Sequence, residues 1–265
     1  MSSDRPMTRK RRVALAFDRA ADYDRYAAPQ RRAATRLAAL VATPLPARPR
    51  VLEVGCGTGL LAERLVRKIF TTKQAPGIYL CTDIAPGMVA RCRRRLACPQ
   101  AAFVAMDAEF PAMRSGFDLI VSSMALHWAD ALPAALQSLY DALKPAGVLA
   151  VALPGHDSYR EWRDAAEAAG VPAGVAEFPD TAALAAILPA ADSVSMEEER
   201  FRLYFANGLE FLRALKGLGA TVPRAGYRPA TLPRLRAVLS ALEGSGRPVA
   251  ITVHILYAIL RRKDA

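Results

Sequence analysis

Cysteine, histidine and tryptophan are scarce in this 265-residue chain, at four, three and two residues. Cys56, Cys81, Cys92 and Cys98 form no Cys-x-x-Cys pair, and Cys56 and Cys81 fall in core strand or loop positions. Reduced thiols are therefore expected rather than a disulfide framework. The three histidines lie far apart in the sequence, so no metal site is expected. No apolar stretch reaches the roughly 18 residues of a membrane span, and Met1 to Arg12 lacks the apolar core of a signal peptide. The expectation is a cytoplasmic protein. Internal repeats and low-complexity segments are absent, as is any Gly-x-x-x-x-Gly-Lys-Ser/Thr run, which argues against a phosphate-gripping P-loop.

What is present is a hydrophobic fraction of 52%, enough at this length for a full core in one α/β domain with decorations. The net charge of +11 is uneven. Residues 1–50 carry 12 Lys/Arg against 4 Asp/Glu, residues 51–199 carry 12 against 18, and residues 200–265 carry 12 against 3. Two basic ends around a mildly acidic middle suggest an anionic partner, either nucleic acid or an acidic protein, with solvated arginines as the plainer alternative.

The chain is organised around Val51-Leu52-Glu53-Val54-Gly55-Cys56-Gly57-Thr58-Gly59-Leu60-Leu61, an apolar run that breaks into three alternate glycines and then into a helical pattern. Glycine suits a sharp turn at positive φ and lets a ligand approach the main chain, while the helix start presents free N–H groups. Alone this is a weak signal, equally natural in a ligand-free loop. Its partner is Asp83, which closes the second apolar run Gly77 to Thr82. An acidic residue at that place holds ribose hydroxyls, so the pair points to a nucleoside. The connection Lys68 to Pro76 makes the spacing slightly longer than usual.

In chain order, Met1 to Arg12 reads as a disordered basic tail. Residues 13–45 are helical, and their aromatics Phe17, Tyr23 and Tyr26 serve either as anchors or as a lid over a pocket. Pro86 opens a helix whose Arg91 to Arg95 cluster is a solvated face. Phe103 to Met106 is a third strand, after which Asp107 is placed to accept from an adenine amine or to cap a helix. Phe117 to Ser122 is a fourth strand, leading into Ser123-Met124-Ala125-Leu126-His127-Trp128 at the carboxyl edge of the sheet, where open α/β folds bind ligands. His127 there is a base or a packed pocket residue. Leu132 to Leu143 is a helix, Lys144-Pro145-Ala146-Gly147 stops it, and Val148 to Leu153 is a fifth strand.

From Pro154 to Met196 the alternation lapses into Trp162, Ala-rich helical pieces and several turn residues, an excursion over the site or a local cap. Glu199 to Asn207 then alternates like a strand, Gly208 to Lys216 and Leu232 to Leu242 are helical, and Val249 to Leu260 is a β-branched run. The expected architecture is a doubly wound, mainly parallel sheet. Its divisions are a tail at 1–12 and one domain at 13–265, comprising a helical lid (13–45), a cofactor-binding half (46–153), a cap excursion (154–198) and C-terminal strands and helices (199–265).

Glu-x-Gly-x-Gly-x-Gly with a downstream Asp resembles the class I S-adenosylmethionine-dependent methyltransferases. Phe17-Asp18-Arg19-Ala20-Ala21 with Tyr23, Ala27 and Gln30-Arg31, the run Ser123 to Trp128, and above all Leu212-Arg213-Ala214-Leu215-Lys216-Gly217-Leu218-Gly219-Ala220-Thr221 resemble, over nearly the whole chain, the malonyl-acyl-carrier-protein O-methyltransferases of biotin synthesis. The chain departs from that pattern in a Phe17 to Tyr23 gap one residue short, in Ala146 where glycine is usual, and in the long Lys68 to Pro76 connection. The resemblance implies a seven-stranded Rossmann-like sheet and S-adenosylmethionine as methyl donor, with no metal. It implies cofactor contacts from Glu53, Gly55, Cys56, Gly57, Gly59, Asp83, Ile84, Met88, Asp107, Ala108 and Ser122. Substrate or lid roles fall to Tyr23, Gln30, His127, Trp128, Arg213 and Lys216, and acyl carrier protein is the partner, with malonyl coenzyme A a second candidate thioester.

The implied chemistry needs little from the protein. A malonyl carboxylate is already ionised near pH 7, so in-line attack on a sulfonium methyl requires no general base, and orientation with exclusion of water suffices. A cation, best an arginine, is expected for the free carboxylate. Arg213 and Lys216, three apart on one helix face, can act on one anion together. Two alternatives remain: a small-molecule carboxyl or quinone methyltransferase of the same fold, and a nucleic-acid methyltransferase or binding module. The latter usually offers Asn/Asp-Pro-Pro-Tyr-like or aromatic stacking elements, which this sequence lacks.

Overall fold

A computed structural model describes residues 7–41, 44–70, 76–109, 116–223, 227, 229–244 and 248–264. Seven strands, β1 (Arg50–Val54), β2 (Ile78–Asp83), β3 (Ala101–Ala105), β4 (Phe117–Ser123), β5 (Leu143–Pro154), β6 (Ser193–Phe205) and β7 (Val249–Arg261), form one sheet in the order β3-β2-β1-β4-β5-β7-β6. All neighbours from β3 to β5 pair in parallel, whereas β7 runs antiparallel to both β5 and β6. The chain winds outward through β2 and β3, then returns to β4 beside β1. This reversal opens a crevice above the carboxyl ends of β1 and β4.

Helices cover both faces. Before β1 come α1 (Arg9–Asp18), α2 (Tyr23–Tyr26) and α3 (Ala28–Leu40); between strands lie α4 (Leu60–Ile69), α5 (Pro86–Arg95), α6 (Leu132–Asp141), α7 (Arg160–Ala168), α8 (Thr181–Ile187), α9 (Gly208–Gly217) and α10 (Leu232–Glu243). A parallel strand buried on both sides reads as an unbroken apolar run. Accordingly Val51 joins Ala34, Leu37 and Leu65 on one face, while Leu52 and Val54 join Leu136 and Leu139 on the other. None of the described helices is long and apolar enough to cross a membrane.

Two sequence expectations change. Arg9 to Arg12, read as part of a disordered tail, form the first turn of α1, because the Thr8 hydroxyl accepts from the Arg11 N–H at 3.3 Å and caps the helix; residues 1–6 lie outside the described residues. The helical pieces of the excursion after Pro154 are α7 and α8, and Trp162 packs with Phe211, Val238 and Ile251 in a separate apolar cluster. Strand β6 begins at Ser193, six residues before the alternation becomes visible, because this edge strand is largely exposed on both faces and gains its partner from β7. Of the connection Lys68 to Pro76, residues 71–75 lie outside the described residues.

Ala146 holds φ +58°, at the irregular start of the β4–β5 pairing. A left-handed conformation costs a residue with a Cβ roughly 1–2 kcal/mol, partly offset by the roughly 0.5–1 kcal/mol that glycine loses in chain entropy. Ala146→Gly is expected to stabilise the protein by about 0.5 kcal/mol, read as a rise of roughly 1–2 °C in Tm. An unchanged or lower Tm in differential scanning calorimetry contradicts this account.

Candidate active site

The turn after β1 is built by its backbone. The Gly55 and Cys56 N–H groups both donate to the Thr82 carbonyl at 2.8 Å, which ties the turn to the end of β2. Gly55 cannot carry a side chain, since a Cβ there would overlap the Cβ of Ala125. Gly57 holds φ +52° and faces open space, where a Cβ would find the Tyr23 hydroxyl, at 3.8 Å, as its near neighbour. Gly59, expected as a cofactor contact, does not line the cavity. It turns the chain into α4 at φ +90°, packed so that a Cβ would lie 3.0 Å from Cys92 Sγ.

Above the crevice lies a cavity, at the place where open α/β sheets bind their ligands. Glu53, Gly55, Cys56, Gly57, Asp83, Ile84, Met88, Asp107 and Ala108 all line it, so the structure brings together nine of the eleven expected cofactor residues. Asp83 Oδ2 accepts from the Gly57 N–H and Oδ1 from the Ala85 N–H, both at 2.9 Å, which fixes the carboxyl at the cavity floor with lone pairs to spare. Burial pushes its pKa up to about 6, against the opposing pull of those two N–H groups. Glu53, 1% exposed, accepts from the Tyr79 hydroxyl at 2.6 Å, and burial raises its carboxyl well above the usual range. The carboxyl thus forms part of the cavity wall, anchored by the Tyr79 hydroxyl.

Ser122, also expected here, is buried away from the cavity; its neighbour Ser123 lines it. Successive strand residues point to opposite faces, so the one-residue difference decides the matter. Met124 follows at φ +54°, a conformation that residues with a Cβ adopt at cost, and it too lines the cavity.

The roof comes from the N-terminal helices. Lys10, Val13 and Phe17 of α1, Tyr23 of α2 and Gln30 of α3 line the cavity from above. Phe17 stands edge-on to Trp128, at 5.5 Å and 88°, and lies 6.4 Å from Tyr23. Both ends of this roof are latched by charge. Arg9 donates to the Trp128 carbonyl at 3.0 Å and pairs with Asp130 at 2.6 Å, and Lys10 pairs with Asp107 and Glu109, each at 2.6 Å. On the other side Arg91 donates to the Ala20 and Asp18 carbonyls at 2.6 and 2.8 Å, while Asp24 receives Arg95 and the Thr58 hydroxyl. Burial alone would raise the Glu109 carboxyl, but Lys10 and the N–H groups of Asp130 and Ala131 outweigh it and hold Glu109 below its usual range.

Asp107 serves its own turn, accepting the Glu109 N–H on Oδ1 at 3.0 Å, and presents the carboxyl to the cavity beside Lys10. Trp128 lines the cavity but His127 does not. Burial, with Arg9 nearby, lowers the His127 pKa to about 3, and its ring packs against Trp128 and Phe178. His127 is therefore a neutral packing residue and not a base. Tyr26 is likewise outside the cavity, with its ring against Gly217. Arg213 and Lys216 are exposed on α9 and outside this cavity. Lys10 and Glu109 line the cavity without having been marked by the sequence, and Thr58 of the glycine run and Ser123 of the carboxyl-edge segment line it without having been named as cofactor contacts. The alternating strand rule could have found Ser123, whereas Lys10 gave no local signal.

Cys56, Cys81 and Cys92 are free and buried, and Cys56 Sγ lies 3.8 Å from the Gly57 carbonyl oxygen. Among the described residues no group of His, Cys, Asp or Glu is arranged to hold a metal ion.

A nucleoside-bearing ligand fits what the cavity offers. A glycine cradle admits it to the backbone, Asp83 has free acceptor capacity, and the buried Gln30 Oε1 and Ser123 Oγ have no protein partner. Diol recognition favours the ionised carboxylate, so affinity for S-adenosylmethionine is expected to fall as pH drops below about 6, approaching tenfold per unit well below the Asp83 pKa, as protonation removes an acceptor. Binding titrations between pH 5 and 8 check this, and a pH-independent affinity in the wild type contradicts it.

A model of the methyltransferase domain family matches residues 51–147. A solved SAM-dependent methyltransferase of Thermotoga maritima superposes with a TM-score of 0.55 at 16% identity, covering 94% of this chain and 99% of that one, which speaks for the fold. The biotin biosynthesis bifunctional protein BioCD of Bordetella avium is 40% identical over 261 residues, spanning 97% of this chain and 54% of the relative. The malonyl-[acyl-carrier protein] O-methyltransferase of Magnetococcus marinus is 42% identical over 258 residues, 96% of this chain and 93% of the other. Because that identity is reached over 96% of its length, the chain belongs to the malonyl-[acyl-carrier protein] O-methyltransferase family.

Proposed function

We propose that the protein methylates the free carboxylate of malonyl carried as a thioester on acyl carrier protein, in the biotin pathway. The observation that carries this reading is the identity of 42% across 96% of the chain to a malonyl-[acyl-carrier protein] O-methyltransferase, and the cavity supplies a matching mechanism. S-adenosylmethionine, when bound, supplies an electrophilic sulfonium methyl. Asp83 holds its ribose, Gly55 and Gly57 admit it to the main chain, and Asp107 is available to its adenine. Glu53 forms the wall beside the glycine turn, and Gln30 and Ser123 present unpartnered oxygens to the same space. Phe17, Tyr23 and Trp128 exclude water above it.

The malonyl carboxylate attacks as it stands, since it is ionised near pH 7. The protein moves no proton, in keeping with a His127 that is neutral and outside the cavity. The protein's contribution is proximity, alignment and dryness. The reduced thiols suit a reducing compartment such as the cytoplasm. Purified protein with S-adenosylmethionine labelled in the methyl group is expected to transfer label to malonyl-carrier protein as a base-labile ester. Malonyl coenzyme A forms the second arm. Label on neither thioester, with transfer to a free small carboxylic acid, overturns the proposal.

A further inference from the structure

A second groove lies on the outer side of the roof helix. Arg12, Leu15, Ala16 and Arg19 follow the i, i+3, i+4, i+7 spacing and share one side of α1 and its C-cap, opposite to the side on which Lys10, Val13 and Phe17 line the cofactor cavity. With Met7 and Ala20, and with Lys216, Gly219 and Thr221 from the end of α9 and the turn after it, they line an open depression. The lining holds three cations and no acidic side chain. Arg12, Arg19 and Lys216 are all exposed, and none forms an ion pair among the described residues. Elsewhere in the N-terminal segment several cations are paired internally: Arg9 with Asp130, Lys10 with Asp107 and Glu109, and Arg32 and Arg36 of α3 with Glu199 and Glu197 of β6. The groove is thus where the two basic ends of the sequence meet without neutralising acids.

The same groove is mechanically joined to the roof. A Cβ on Gly219, which holds φ +73°, would lie 3.0 Å from the Ala16 carbonyl oxygen and 3.2 Å from Phe17 Cα, and a Cβ on Gly217 would overlap the Tyr26 ring. The Lys216-Gly217-Leu218-Gly219 run is therefore the seat on which the roof rests, and both glycines are required by close approach.

We infer that this groove is the docking surface for the acidic carrier protein, and that docking holds the roof closed over the cofactor because α1 forms one wall of each. The inference rests on the proposed function and names the surface that serves it. Apolar residues flanked by unpaired cations match an acidic protein surface, whose approach is steered by charge and weakened by salt. Since one helix carries both contacts, carrier and cofactor raise each other's affinity by the same factor.

The test compares wild type with a variant in which Arg12, Arg19 and Lys216 are all replaced by glutamate, alongside a milder set with glutamine. Carrier-protein affinity is expected to fall at least tenfold in the glutamate variant and by less in the glutamine set, while Arg234→Glu, exposed on α10 and outside the groove, changes it less than about twofold. S-adenosylhomocysteine affinity without carrier stays within twofold, which also verifies folding. Saturating carrier protein tightens S-adenosylhomocysteine at least threefold in wild type and leaves it unchanged in the glutamate variant. Wild-type methylation of malonyl-carrier protein with unaltered carrier affinity in both variants overturns the groove alone. Loss of nucleic-acid affinity with carrier affinity retained reassigns the patch and also overturns it. Wild type that neither binds nor methylates the carrier overturns the proposed function itself.

Discussion

Gly57→Val is expected to weaken S-adenosylmethionine binding at least about 100-fold, close to 2.8 kcal/mol at roughly 1.4 kcal/mol per factor of ten. The residue holds φ +52°, and a Cβ there would point into the cavity toward the Tyr23 hydroxyl. A β-branched side chain thus meets a left-handed backbone and fills ligand space at once. Asp83→Ala is expected to act comparably for a different reason. It removes the carboxylate meant for the ribose and also the acceptor of the Gly57 and Ala85 N–H groups, so the glycine turn loses its side-chain anchor to β2. Isothermal titration calorimetry with parallel circular dichroism separates binding from folding. Unaltered affinity in either variant with intact secondary structure overturns the cofactor site.

Removal of residues 1–26 is expected to leave a folded sheet with turnover reduced at least about 1,000-fold. The main apolar clusters on both faces of the sheet are built from Ala27 onward, with Tyr23 and Tyr26 only packed against one of them, so the core survives. The cavity loses Lys10, Val13, Phe17 and Tyr23 together, and with them the wall that excludes water. The Arg9–Asp130 and Lys10–Asp107 pairs and the Arg91 contacts to Asp18 and Ala20 go as well. A cooperative thermal melt with near-zero methyl transfer is the predicted outcome. Full activity would return Phe17 and Tyr23 to an anchoring role.

The parts of the site that were legible in the sequence are those whose chemistry is written locally. Three alternate glycines after an apolar run specify a turn at positive φ, and Asp83 sits at the end of the next strand because the parallel β1–β2 pairing brings Thr82 level with Val54. Strands β1, β2 and β4 announced themselves because burial on both faces leaves mostly apolar residues. Strand β6 began unseen, since an exposed edge carries no one-sided pattern until its partner is known.

Tertiary structure alone decided the rest. Lys10 looked like one more charge in a basic tail, and only the fold sets it against Asp107, 97 positions away, as part of the cavity roof. His127 and Ser122 stood beside the right residues, yet strand parity and packing turned them from the cavity in favour of Trp128 and Ser123. The two basic ends were countable from composition, but composition could not tell that Arg32 and Arg36 are neutralised by β6 while Arg12, Arg19 and Lys216 form no ion pair among the described residues around one groove. Backbone turns and strand burial depend on neighbours in sequence, so the chain specifies them as it is read. Charge pairing and cavity walls depend on distances between remote segments, and those exist only once the sheet has brought the segments together.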